Sequence, residues 1–258
     1  MTSELKPQLT GLHHLTAITA DAPGNRRFYT DTLGLRLVKK TVNQDDTSAY
    51  HLFYADGLAS PGTDITFFDW PVHRERRGTH SGSRTGLRVN GVASLDWWRN
   101  HLKGKGIETG DIFEIAGRAV LDFEDPEGQR LRLTDDDGIG ASHSWEKSPV
   151  PAERQIRGLG PITLSVPDLA PTKIVLEKVM NMREAGDYAS PDGEGHVHVF
   201  EMGNGGAGAE LHIAVQPNLE PAAQGAGAVH HVAFRTPDQE TMQEWVDRLR
   251  TFRIPSSG

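Results

Sequence analysis

The octapeptide Leu12-His13-His14-Leu15-Thr16-Ala17-Ile18-Thr19 carries the strongest indication of the fold, because its pattern occurs twice. Near the other end the chain reads Val229-His230-His231-Val232-Ala233-Phe234. In both copies an Asp stands seven positions after the second His, at Asp21 and at Asp238, and a helical pattern follows. Two histidine pairs that repeat in the same strand setting are typical of a metal site shared between duplicated modules.

The sequence around the first copy predicts one βαβββ unit. Asp21 has the side chain of a helix N-cap, Pro23 suits the first helical turn, and Gly34 suits the helix end. The predicted helix therefore covers residues 22–33. The predicted strands alternate in polarity or are bounded by turn residues, and they are Leu12–Thr19, Leu35–Val42, Tyr50–Tyr54 and Asp64–Trp70.

The same order of elements recurs along the chain. A second unit is predicted over residues 82–135 and a third over residues 158–215, while a fourth begins at Gly227 and is expected to be incomplete after its helix. The prediction is an α+β fold of four βαβββ modules in two halves. The halves are an N-terminal domain at 1–135 and a C-terminal domain at 158–258, joined by a charged, proline-containing linker at 136–157.

Composition narrows the classes of function. The chain has 258 residues, a net charge of -8 and no cysteine, so nucleic-acid binding, disulfides and thiolate ligands are not expected. The polar segment 1–8 lacks the apolar core of a signal peptide, and no apolar run approaches a membrane span. A cytoplasmic protein without a membrane partner is predicted. An incomplete fourth module would leave an unpaired sheet edge, which favours association into a homo-oligomer.

Several motifs together resemble a known superfamily. Leu12-His13-His14-Leu15-Thr16, the helix end Leu33-Gly34-Leu35 and the turn Asp125-Pro126-Glu127-Gly128 resemble the vicinal oxygen chelate superfamily of glyoxalases, bleomycin-binding proteins and extradiol dioxygenases. Tyr50-His51-Leu52-Phe53-Tyr54-Ala55-Asp56, followed by Pro61-Gly62-Thr63, is similar to its branch of ring-cleaving hydroquinone dioxygenases. The resemblance implies glyoxalase-like halves built from open, cup-shaped mixed sheets.

The resemblance also implies a set of site residues. It assigns His14 and His231 as metal ligands, and strand alternation agrees, because Thr16 shares a face with His14 while the alternate residues are apolar. It places His13, Thr16 and His230 around the substrate. Alternation supports Thr16, but His13 and His230 would point to the opposite face unless their strands are bulged.

The third ligand implied by the resemblance, a Glu, is expected beyond Gly258 and is therefore absent from the chain. The equivalent position in the second module is Arg132, which cannot bind a cation. Glu210 lies on a comparable strand of the third module, but its partner there would be Pro161. The expectation is weakened metal retention, and a chain that is inactive in this truncated form.

Three functions follow from the resemblance. The first is a non-haem Fe(II) ring-cleaving, extradiol-type dioxygenase that acts on a hydroquinone or catechol with O₂, with Mn(II) as a substitute metal. The second is a glyoxalase-like metal-dependent isomerase or lyase, which would not consume O₂. The third is a metal-free protein that binds small molecules. His196 and His198 alternate on one predicted strand without a matching carboxylate, so a second metal pair is not expected there.

Overall fold

The structure is a computed structural model that describes residues 6–42, 47, 49–193 and 195–255. The predicted order of elements is confirmed in every module. The first module comprises β1 (Leu12–Thr19), α1 (Ala22–Arg27), β2 (Arg36–Val42), β3 (Tyr50–Ala55) and β4 (Asp64–Asp69). The second comprises β5 (Ser81–Val89), α2 (Val92–Gly104), β6 (Phe113–Ile115), β7 (Arg118–Glu124) and β8 (Arg130–Asp135).

The third module repeats this order with β9 (Gly158–Val166), α3 (Leu169–Ile174), β10 (Arg183–Ala189), β11 (His196–Glu201) and β12 (Glu210–Val215). The fourth contributes β13 (Val229–Phe234) and α4 (Gln239–Thr251) to the described residues. The described residues also form short 3-10 turns at Ala152–Arg154 and Ala207–Ala209.

The first and third modules share an unusual helix end, which supports their duplication. Each helix passes into a π-helical turn, over Phe28–Thr32 in the first module and Val175–Val179 in the third. The amide of Leu33 donates to the carbonyl of Phe28 at 2.9 Å, five residues back, as the π pattern requires. The N-cap predicted at Asp21 is also present, since its carboxylate accepts from the amide of Gly24 at 3.0 Å.

The strands form two mixed sheets that combine modules in a way the sequence order does not reveal. The first sheet has the order β13-β1-β4-β3-β2, and the second has the order β10-β11-β12-β9-β5-β8-β7-β6. The first sheet therefore joins modules one and four, and the second joins modules two and three. The division into domains at 1–135 and 158–258 stays a prediction, and each sheet takes strands from both of these segments.

The predicted linker packs closely against the rest of the protein. The fully buried indole of Trp98 on α2 donates from Nε1 to the carbonyl of Arg154 at 2.8 Å. Asp136 lies between two guanidinium groups, at 3.1 Å from Arg88 and 2.9 Å from Arg157. These contacts fix the path of the chain between the second and third modules. Among the helices described, none combines the length and the apolar character needed to cross a bilayer.

Candidate metal centre

The two predicted ligands meet at one edge of the first sheet, where β13 pairs with β1. His14 on β1 and His231 on β13 are 217 positions apart in the sequence, yet their Nε2 atoms lie 3.3 Å apart. The two strands run antiparallel, with Thr16 opposite His231 and His14 opposite Ala233. Pairing of the first and fourth modules therefore creates this arrangement.

β-bulges occur at both of the histidines that strand alternation could not place. Between Leu12 and His14 the β1 strand has one more residue than β13, and the extra residue is His13. Between Thr16 and Ala17 the extra residue lies on β13 and is His230. A bulge changes the direction of the side chain it carries. It brings Nδ1 of His13 to 2.9 Å from Nδ1 of His14, and Nδ1 of His230 to 2.8 Å from Nδ1 of His231.

These contacts determine which nitrogens are free to bind a cation. If the Nδ1–H of His14 donates to His13, and that of His231 donates to His230, both Nε2 lone pairs face each other. If two metal–nitrogen bonds of about 2.1 Å enclose an angle of 90° or slightly more, the two ligand nitrogens lie roughly 3.0–3.2 Å apart. The observed separation of 3.3 Å is close to this value. The histidine pair therefore fits a shared divalent cation.

The protonation states agree with this use. Burial, followed by repulsion from His13, His231 and His51, lowers the pKa of His14 to about 4. Burial and then His230 also lower the pKa of His231. Both imidazoles are consequently neutral at pH 7, which metal ligation requires.

A chain of hydrogen bonds runs from His231 on β13 across β1 and β4 to β3. Nε2 of His231 lies 3.0 Å from the hydroxyl of Thr16, which lies 2.8 Å from the hydroxyl of Thr66 on β4. Thr66 in turn lies 2.9 Å from Nε2 of His51 on β3. Thr16, predicted to lie near the substrate, thus contacts a candidate ligand directly, while Thr66 and His51 are additions from the structure.

Aromatic side chains stand beside the histidines. The rings of Phe68 and Trp70 stack with centroids 4.9 Å apart, and His230 meets them edge-on at 5.2 and 5.5 Å. His51 lies between Phe53 and Phe68, at 4.0 and 4.5 Å. We call Phe68, Trp70 and His230 the aromatic wall. Its faces and edges suit contact with another aromatic ring.

A cavity of about 450 Å³ opens beside His230 and His231. His14, Thr16, Phe68 and Trp70 do not line this cavity, so it lies to one side of the aromatic wall and touches the site only through His230 and His231. Its lining is largely apolar, with Leu164, Val166, Val229, Val232 and Phe234 among the lining residues.

No carboxylate joins the pair in the part of the chain that the structure describes, where no group of three or more His, Asp or Glu side chains is arranged to hold a metal. Arg132 pairs with Asp122 at 2.6 Å, and Glu210 pairs with Arg118 at 2.7 Å. Neither occupies a ligand position. Gly258, beyond which the third ligand is expected, lies outside the described residues.

The second sheet has no equivalent histidine pair among its described residues. Its strand β9 places Thr163 opposite Arg84, in the way that β1 places Thr16 opposite His231. The guanidinium of Arg84 forms a double hydrogen bond with Asp192, at 2.7 and 3.1 Å. An ion pair therefore fills the position that the candidate ligand takes in the first sheet. His196 pairs with Asp187 at the surface, and the half-buried His198 pairs with Glu184.

Sequence reasoning missed four residues of this site: His51, Thr66, Phe68 and Trp70. Alternation alone would have placed His51 with Phe53, and Thr66 with Phe68, on common strand faces. Sequence did not reveal that β4 lies directly beside β1, with Thr16 opposite Thr66.

Comparisons with known proteins agree with this fold. Models of the Glyoxalase/Bleomycin resistance protein/Dioxygenase superfamily match residues 11–133 and 162–253. A Bacillus subtilis protein named as ring-cleaving dioxygenase MhqA is 43% identical over 240 residues, covering 92% of this chain and 76% of the relative. The chlorohydroquinone/hydroquinone 1,2-dioxygenase of Sphingobium indicum is 30% identical over 245 residues, covering 91% and 73%.

Solved structures give the same result. A dioxygenase crystal structure from Bacillus subtilis superposes with a TM-score of 0.85 at 30% identity, covering 96% of this chain and 76% of that one. Glyoxalase I from Zea mays superposes at 0.66 and 15% identity, covering 93% and 79%, which shows the fold alone. The chain belongs to the Glyoxalase/Bleomycin resistance protein/Dioxygenase superfamily. Within it, the chain falls in the branch of ring-cleaving hydroquinone dioxygenases, as predicted from its motifs.

Proposed function

We propose that this protein is a non-haem Fe(II) dioxygenase that cleaves the ring of hydroquinone- or catechol-type aromatics with O₂. The observation that carries the proposal is the pair of Nε2 atoms, on His14 and His231, that face each other at 3.3 Å beside the aromatic wall. One relative named as a ring-cleaving dioxygenase and another named as a chlorohydroquinone/hydroquinone 1,2-dioxygenase support it. We place the protein in the cytoplasm.

His14 and His231 would hold the metal through Nε2. Bound there, Fe(II), or Mn(II) in its place, would supply a redox-active Lewis acid with open positions for a diol oxygen and for O₂. In this branch a Glu completes the ligand set. Among the described residues no carboxylate is arranged to do so, and metal content therefore becomes the first quantity to measure.

The neighbouring histidines have a defined part in this proposal. His13 and His230 accept the Nδ1–H of the two ligands and thereby keep each Nε2 lone pair directed at the metal. Hydrogen bonds of this kind fix the tautomer and ring orientation of ligating histidines. His230 has a second part, because its ring also belongs to the aromatic wall.

The aromatic wall would orient the substrate. A ring packed against Phe68 and Trp70 would lie on the same side of the sheet as Thr16, whose hydroxyl would hydrogen-bond a substrate oxygen once His231 holds the metal. Holding the reacting ring in one orientation lowers the entropic part of the barrier. The wall favours an aromatic substrate over the small aliphatic ones that an isomerase of this fold would take.

The test is the iron content of the anaerobically reconstituted chain, followed by O₂ uptake on a hydroquinone. We expect near-stoichiometric iron and uptake of one O₂ per ring cleaved. The matched variants are His14→Gln, which should lose both, and His196→Gln on the second sheet, which should lose neither. Bound metal with substrate turnover but no O₂ uptake would identify an isomerase or lyase instead. A chain that takes up no metal and still binds the aromatic would be a binding protein.

A further inference from the structure

We propose that His51 ends a proton relay that runs from a substrate hydroxyl through Thr16 and Thr66. The inference deepens the proposed function and rests on it, because it assigns the group that removes the hydroxyl proton of a hydroquinone or catechol. The relay consists of Thr16, Thr66 and His51, which come from three different strands.

The three side chains form a continuous path. The two hydroxyls are 2.8 Å apart, and Nε2 of His51 is 2.9 Å from Thr66. Thr16 and Thr66 are 0% and 1% exposed, so water does not reach the hydroxyls between the two ends. A proton that enters at Thr16 is therefore passed along the hydroxyls to His51.

The path begins at Thr16, which lies at the candidate metal centre. Without a metal, the Thr16 hydroxyl can donate to Nε2 of His231, 3.0 Å away. Once His231 uses that lone pair as a ligand, Thr16 loses this acceptor and is free to turn. In the proposed relay, a substrate hydroxyl held beside His231 takes the place of His231 Nε2 as the hydrogen-bond partner of Thr16.

The transfer is balanced without an oxidant or reductant. The substrate O–H bond breaks and its proton goes to Oγ1 of Thr16, the proton of Thr16 goes to Thr66, and that of Thr66 forms the Nε2–H bond of His51. The Nδ1–H of His51 is then released to water. No described residue hydrogen-bonds this Nδ1 atom, and the side chain of His51 is half-buried.

The surroundings of His51 suit a carrier that passes protons on rather than keeping them. Burial between Phe53 and Phe68, and then repulsion from His231 and Lys39, lower the pKa of His51 to about 4. His14 is a further titratable group whose charge interacts with that of His51. A neutral imidazole can accept at one nitrogen and donate from the other.

The first experiment measures substrate deprotonation directly. Iron-loaded protein is mixed anaerobically with a hydroquinone in a stopped-flow instrument, and the ultraviolet band of the bound anion is followed. Thr66→Val removes only the hydroxyl. We expect it to slow the appearance of this band about 100-fold, which is at the lower end of the usual contribution of acid–base catalysis. Thr66→Ser should restore the rate. His51→Ala should be equally slow and should recover when imidazole is added.

The second experiment needs neither metal nor turnover. In ¹⁵N NMR of the metal-free protein, the Nε2 resonance of His51 should shift in Thr66→Val and keep its position in Thr66→Ser. The control His196→Gln should leave both the resonance and the deprotonation rate as in the wild type.

The two proposals fail in different ways. A His51 resonance that does not respond to Thr66→Val, or a Thr66→Val variant that deprotonates substrate at the wild-type rate, overturns the relay. Bound substrate anion without O₂ uptake contradicts the proposed function alone, and the deprotonation rates still decide the relay. A chain that binds no hydroquinone contradicts both.

Discussion

The Nε2 atoms of His14 and His231 face each other at 3.3 Å across the β1–β13 pair, and each imidazole has a second histidine at its Nδ1 atom. Two lone pairs at this distance repel unless a proton or a metal ion lies between them. The arrangement of four histidines therefore gives several predictions about metal binding.

Removal of either candidate ligand should abolish metal uptake. For His14→Ala and for His231→Ala we expect affinity for Fe(II) to fall by more than about 100-fold, beyond the usual effect of losing an outer-shell partner. Titration calorimetry under anaerobic conditions measures this. His196→Gln is the control, because His196 pairs with Asp187 on the surface of the second sheet. Unchanged affinity in either alanine variant would remove that residue from the site.

Loss of a neighbouring histidine should weaken metal binding without abolishing it. His13→Ala and His230→Ala each remove the acceptor for one Nδ1–H, and we expect affinity to fall by about 10–100-fold. His73→Ala, at an exposed loop position, should bind as the wild type does. The idea that His13 and His230 fix the tautomers fails if their variants match this control.

The aromatic wall should affect substrate binding alone. Trp70 stacks on Phe68 at 4.9 Å, and Trp70→Leu removes one aromatic surface while keeping an apolar side chain. An aromatic pair contributes about 0.5–1.5 kcal/mol beyond its buried area, so KM for a hydroquinone should rise roughly 3- to 10-fold. Iron content should not change. A lowered kcat with an unchanged KM would mean that Trp70 does not contact the bound ring.

The half-buried carboxyl of Asp64, beside the site, should make stability depend on pH. Burial, and then Asp56, raise the pKa of Asp64 to about 6, and its Oδ1 atom has no hydrogen-bond partner among the described residues. The folded state therefore binds this proton more tightly than the unfolded state does. The unfolding free energy of the metal-free protein should fall as the pH rises from about 4 to about 6.

Asp64→Asn should remove this dependence. Above pH 6 we expect the variant to be more stable than the wild type by about 1 kcal/mol, a value reduced for solvent screening of a partly exposed group. Urea unfolding at pH 4 and pH 7.5 measures both values. The same pH dependence in variant and wild type would show that Asp64 is not its source.

The ion pair between Glu210 and Arg118 in the second sheet should be important for stability rather than for metal binding. Burial opposes the charged form of Glu210, but the hydrogen bonds from His212 and Arg118 hold the pKa of Glu210 down at about 2. Arg118→Met leaves this carboxylate buried without its cation and should destabilise the protein by about 3 kcal/mol at pH 7. Combining it with Glu210→Gln should recover most of that loss, and iron content should stay normal in both variants. A loss of iron would link the two sheets.

The predictability of this protein differed between local and long-range features. The strand around His14 and the cap at Asp21 followed from local pattern and side-chain chemistry, and both are confirmed. The bulges at His13 and His230 could not be derived, because a bulge depends on how one strand pairs with a distant partner. The relay residue His51 was missed for the same reason.

The pairing of the modules was the main feature that the sequence did not predict. Sequence repeats predicted four units and their order, and the elements are confirmed. The joining of module one with module four, and of two with three, arises from contacts between sheet edges. No local pattern carries that information, and it determines which histidines can meet.

Pairing of β1 with β13 also sets a time at which the site can form. During synthesis His14 leaves the ribosome 217 residues before His231, an interval of roughly 10–40 s at about 5–20 residues per second. Until then the first sheet lacks its fifth strand, and a nascent chain offers a cation one histidine instead of two. Stable metal binding would therefore indicate that β1 and β13, from opposite ends of the sequence, have paired.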